Sequence, residues 1–186
     1  MTTLLSQITT NPLVSGLTNA VTIQVQTSLE TAVTIAETVY QSLGLHKTSA
    51  LDVRHELATL SAAIEEGPKG VAIFAAISRT TASIKSLPGP VTQDEGIAIL
   101  NSCKEVQVKI SVLLSAVSVR VTSVEHGAPG LCEYGINRLL ALFTVLTQAL
   151  LNILPSSISA DEVQGIHNGI ESACNDTLTS VRNSVN

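Results

Sequence analysis

The chain has 186 residues, enough for one domain with a substantial buried core. Only 13 % of the residues are charged and 2 % aromatic, and the mean hydropathy is +0.37, so 20 Ser and 20 Thr supply much of the polar surface. A net charge of −5 with scattered Lys and Arg argues against nucleic acid, and equally against anionic membrane surfaces, as partners.

The opening stretch MTTLLSQITTNPLVSG has no basic region followed by an unbroken apolar run, so it does not read as a signal peptide. From about Pro12 to Leu43, apolar residues recur at Val14, Leu17, Val21, Val25, Leu29, Ala32, Ala36, Val39 and Leu43. Steps of three and four place them on one face of a long helix, with Gly44 after it. A second helix is expected from Ser49, where Asp52 stands at the reciprocal position of a capping box, and Gly67-Pro68 should stop it. Val53, Leu57, Leu60 and Ile64 form its stripe. A third, about 69 to 86, carries Phe74, Ile77, Thr81 and Ile84 on one face before the break Leu87-Pro88-Gly89-Pro90.

Thr92 to Glu95 is a capping box that opens the fourth helix. Its body alternates like a strand at Val106, Val108, Ile110 and Val112, but the alternation slips at Leu113-Leu114, which a single strand cannot do without a bulge. In helical phase, Val106, Ile110, Leu113, Val117, Val121 and Val124 form an unbroken seam. After the break at His126 to Gly130, a fifth helix contains LLALFTVLTQALLNIL. Those 16 residues between Arg138 and Pro155 fall short of the roughly 20 a membrane span needs. Thr144, Thr147, Gln148 and Asn152 give them one polar stripe. The sixth helix should start with a capping box, Ser159 to Glu162, and an Ile158–Val163 staple; its stripe is Val163, Ile166, Ile170, Cys174, Leu178 and Val181. The fold expected is all-α: one domain over 1–186, an antiparallel bundle of five to six helices, with residues 1–48 a long N-terminal helix and 49–186 the bundle proper.

Chemistry-bearing constellations are sparse. His55 lies beside Asp52 and Glu56, but Thr59 stands where HExxH needs its second histidine, so this reads as a surface charge cluster. His46, His126 and His167 have no obvious acidic or cysteine partner in sequence, and the glycines form no phosphate loop or dinucleotide fingerprint. No serine stands in a nucleophile elbow. Cys103, Cys132 and Cys174 have neither metal spacing nor an even count, and read as buried thiols. The sequon Asn175-Asp176-Thr177 matters only if the chain is secreted. No enzyme, metal or cofactor is expected. The apolar faces either close into a dry core or leave a central apolar tunnel, which would accept apolar ligands. Apolar stripes meeting partner helices, including self-association, are the other use of such faces. For a ligand the candidates are Phe74, Ile77, Leu113, Val117, Leu139, Phe143, Leu146 and Leu150, on the three helices richest in apolar residues.

From about Leu51 onward the chain resembles the fungal hydrophobic surface-binding protein A family, which includes the cell-wall galactomannoproteins. The resemblance runs through LDVRHELATLSAAIEEG, the Phe74-Ala75-Ala76-Ile77 helix, TQDEGIAIL, VLLSAVSVR and LLALFTVLTQALLNILPSSI. It rests on helix lengths, breaks and apolar phasing. It implies a small helical bundle with a hydrophobic tunnel for fatty acids or similar lipids, adsorption to hydrophobic surfaces, and a cell-wall or extracellular place. The chain departs from the family pattern in its first 45 residues, in its three cysteines, and in a single basic residue at Val119-Arg120-Val121.

Overall fold

A computed structural model describes residues 48–66, 70–123 and 129–183. The expectations for the N-terminal helix, the Gly67-Pro68 stop, His46, Val124 and His126 lie outside the described residues. Five helices follow in order: α1 (Ala50–Glu65), α2 (Gly70–Lys85), α3 (Gln93–Ser123), α4 (Pro129–Ile153) and α5 (Ala160–Asn183). Among the described residues there is no strand. The chain is all-α.

Local chemistry sets most of the ends. Ser49 caps α1 reciprocally: the Asp52 amide donates to the Ser49 Oγ, and the Ser49 amide donates to an Asp52 carboxylate oxygen at 2.8 Å. Thr92 and Glu95 do the same for α3, the Thr92 amide donating to Glu95 Oε2 at 2.9 Å. These hydrogen bonds favour the ionised carboxylates, and both Asp52 and Glu95 are held below the usual carboxylate range. Pro129 opens α4, where its missing N–H costs nothing. The expected box at Ser159 forms only in part. The Ser159 hydroxyl accepts from Asp161 instead of Glu162, while the Glu162 carboxylate turns to Lys104 of α3 at 2.6 Å. A cross-helix ion pair has displaced a local cap.

The helices pack in a closed ring: α1 on α2, α2 on α4, α4 on α5, α5 on α3, and α3 on α1. Successive helices reverse direction. The last turn of α5 therefore meets the first of α4, where Arg182 Nε lies 2.8 Å from Glu133 Oε1. Side by side, α3 and α5 run the same way, joined at Lys104–Glu162 below and by the Thr177 hydroxyl, 3.4 Å from the Leu114 carbonyl oxygen, above. Inward stripes from all five helices form one core, including Leu57, Ile77, Ile110, Phe143, Leu146, Leu150 and Ile170, each at most 2 % exposed. Buried threonine hydroxyls bond within their own helices, Thr80 donating to the Ala76 carbonyl and Thr81 to that of Ile77.

Two register details differ from expectation. On α3 the core stripe is Ile99, Cys103, Val106, Ile110 and Leu114; Leu113 and Val117 sit half-buried at its flank. Of the polar stripe on α4, Thr144, Gln148 and Asn152 are exposed, whereas Thr147 is buried with its hydroxyl donating to the Phe143 carbonyl at 2.9 Å. Helix α4 also starts well before Arg138. Its stretch Gly130–Ile153, 24 residues, is long and apolar enough to cross a membrane, so the length criterion applied to 16 residues does not dispose of a span. Half of its most apolar stretch is buried against the other helices.

Gly96 is needed for a close approach. A Cβ there would lie 2.6 Å from Ile158 Cδ1 and 3.1 Å from the Pro155 ring, because the link between α4 and α5 folds over the start of α3. Ile158 thus packs across the bundle. Gly96→Ala is expected to destabilise the fold by about 1–3 kcal/mol through overpacking, measured by urea unfolding.

Candidate functional site

Helix lengths create a concavity among the described residues. At 1.5 Å per residue, α1 and α2 are each about 24 Å long, whereas α3 reaches about 46 Å and α4 and α5 about 36–38 Å. The end of α1 is fixed at the middle of α3 by Lys109, whose ammonium touches Glu65 at 2.7 Å, Glu105 at 3.0 Å and the Ser61 hydroxyl at 2.5 Å. These partners raise the Lys109 pKa and keep its charge engaged. Beyond that point α3 continues without α1 beside it.

The step leaves a groove of about 510 Å³. Ile64 and Glu65 close its lower end; Val108, Val112, Leu113, Ala116, Val117 and Arg120 of α3 form one wall; Cys132 of α4 forms part of the other. Most of this lining is aliphatic. Lys109 is neutralised by its carboxylates, while Arg120, near the top, makes no ion pair with any described residue.

A second concavity, about 300 Å³, lies between α2 and α4, lined by Ser78, Thr81, Lys85, Arg138, Leu142 and Val145 among others. It is smaller and more polar.

Of the eight residues nominated from sequence, only Leu113 and Val117 line the groove. Phe74, Ile77, Leu139, Phe143, Leu146 and Leu150 are in the core, 0–5 % exposed. A side chain lining a hollow would keep accessible surface toward it. These six keep almost none, so they fill the interior. Ile64, Val108, Val112, Ala116, Arg120 and Cys132 also line the groove and are not among those eight. Their signal was present in α3, where Val106 and Ile110 alternate with Val108 and Val112: read as a helix, such a run is apolar on two faces.

The remaining motifs resolve into structure. Glu56 pairs with Arg79 of α2 at 3.4 Å, which makes it a tie between helices. No group of His, Cys, Asp or Glu among the described residues could hold a metal ion. The sequon lies within α5, with Thr177 buried, instead of on a loop. All three cysteines are free. Burial pushes the Cys103 thiol up to about 12 and Cys174 to about 11, and raises half-buried Cys132 as well. At pH 8 a maleimide is expected to modify Cys132 first, with Cys103 and Cys174 protected until the chain unfolds; mass mapping of the labelled peptides checks this.

No family model, curated protein or solved structure matches the chain.

Proposed function

We propose that this chain is a non-catalytic binder of a single fatty acid or similar apolar molecule, held in the groove above the end of α1. The observation that carries the reading is the conjunction of an aliphatic groove of about 510 Å³ with the Arg120 guanidinium at one end, which makes no ion pair with any described residue. From Val108 to Arg120 the groove follows α3 for about 18 Å. Burying about a dozen methylenes there contributes on the order of 10 kcal/mol, comparable with the cost of immobilising the ligand. The carboxylate end then meets Arg120 while the chain lies on the valines. No bond is made or broken.

The resemblance to the fungal hydrophobic surface-binding family supports the same class of ligand, with the site beside the core in place of a central tunnel. In this reading α4 is a core helix, because Ile136, Leu139, Phe143, Leu146 and Leu150 point one apolar face at the other helices. Adsorption to an apolar surface through the outer valines of α3 is a second use of the same face. A protein-interaction module is the rival; the closed core and the exposed Val108, Val112 and Val119 suit it too.

Native mass spectrometry of protein purified from its source tests the proposal. A co-purified acyl chain at one per protomer is expected, and an apo protein in a stoichiometric assembly contradicts it. Arg120→Gln is expected to weaken a fatty acid about tenfold, the loss of one charge-assisted hydrogen bond of about 1.4 kcal/mol, and to leave its methyl ester unaffected.

A further inference from the structure

The cleft between α2 and α4 is separate from the groove, and no residue lines both. Its volume is about 300 Å³, and its lining includes Lys85 of α2 and Arg138 of α4 but no carboxylate. The imbalance begins in the sequence of the two helices. Helix α2 contains no Asp or Glu, and the single acid of α4, Glu133, is paired with Arg182 of α5. Of the three cations on this pair of helices, Arg79 is tied to Glu56, while Lys85 and Arg138 make no ion pair with any described residue. Arg138 is the costly one. Its Nε is buried and has no hydrogen-bond partner among the described residues. A buried donor on a permanent cation is normally paired, because leaving it bare forfeits its hydration with nothing in return. The Thr81 hydroxyl also lines the cleft, but its hydrogen is already donated to the Ile77 carbonyl.

We propose that this cleft is a site for the phosphate group of a phosphate monoester. Charge decides the group. Two cations with no carboxylate beside them complement a dianion, and a phosphate monoester carries about −1.5 to −2 at neutral pH. The planar guanidinium of Arg138 suits two phosphate oxygens at once, and the Lys85 ammonium, on a flexible stem, suits a third. Space decides the rest. Ala141, Leu142 and Val145 give the cleft an aliphatic part, and about 300 Å³ is more than a bare phosphate fills, so a small organic group accompanies it. The lining runs from Ser78 to Lys85 and from Arg138 to Val145, about 10 Å on each helix, too short for the acyl chain placed in the groove. The same phosphate group is carried by soluble esters and by the head of phosphatidic acid, and the test separates these sources. The site shares no residue with the groove, so it stands or falls apart from the proposed fatty acid.

The test uses the full chain, titrated calorimetrically with inorganic phosphate and with glycerol phosphate, and sedimented with phosphatidylcholine vesicles that contain or lack phosphatidic acid. Saturable binding of glycerol phosphate at one site per chain, tighter than that of inorganic phosphate, assigns a soluble ester. Capture by the phosphatidic acid vesicles alone assigns a lipid head. In either case Arg138→Gln and Lys85→Gln are each expected to weaken binding about tenfold, whereas Arg120→Gln, on the groove, should leave it unchanged. Lys85 is exposed, so a loss in its variant does not come from a disturbed core. A parent that binds none of these probes overturns the proposal, as does equal affinity in the parent, Arg138→Gln and Lys85→Gln. An equal loss in Arg120→Gln also overturns it, since that would be a general attraction of anions. Inorganic phosphate binding as tightly as its ester would overturn the assignment of an organic group.

Discussion

Phe143→Ala is expected to lower the stability of the bundle by about 3–5 kcal/mol. Phe143 is 2 % exposed in the centre of the core, on the helix that packs against both α2 and α5, so truncation leaves a void that neighbours from separate helices cannot close together. Leu150→Ala, at 0 % exposure, should cost about 2–5 kcal/mol for the same reason. Val145→Ala, on the same helix but 44 % exposed, should stay within about 0.5 kcal/mol. Urea unfolding of the three variants reads the contrast directly. A small effect at Phe143 would mean that the interior has room to relax, and the solid-core description would fail with it.

Val117→Trp is the corresponding test of function. An indole at this half-buried position projects into the groove, and is expected to weaken fatty-acid binding at least tenfold while changing stability by less than about 1 kcal/mol. Leu146→Trp is the reverse case: the side chain is 1 % exposed, so overpacking should cost about 1–3 kcal/mol or more, while the folded fraction keeps its groove and its affinity. Displacement of a fluorescent fatty acid, paired with urea unfolding of each variant, separates the two. If Leu146→Trp loses binding and Val117→Trp keeps it, the ligand sits inside the ring of helices and not beside it.

The two sets of residues explain what the sequence could disclose. Helical phase identified the inward faces, because an inward position is repeated every three or four residues along each stripe, and Phe74, Ile77, Phe143, Leu146 and Leu150 are all core residues. Capping chemistry located the starts of α1 and α3, since Ser49–Asp52 and Thr92–Glu95 are local hydrogen-bonded pairs. At α5 the same pattern was ambiguous because Glu162 had a rival partner, Lys104, 58 positions away in sequence. The groove was the least legible feature. It arises because α1 ends halfway along α3, and that depends on Lys109 clamping Glu65 and Ser61, a contact between residues more than 40 apart. Leu113 and Leu114 show the limit of phase alone: adjacent in sequence and alike in chemistry, one flanks the groove and the other is in the core.

Bromine quenching of single tryptophans tests the proposed position of a fatty acid most directly, since the chain contains no Trp of its own. Ala116→Trp places the reporter in the groove and Phe143→Trp places it in the core. Titration with a fatty acid brominated along its chain should quench the tryptophan at 116 and leave the one at 143 bright. Quenching at 143 alone, or at neither position, would contradict an acyl chain held against the upper half of α3.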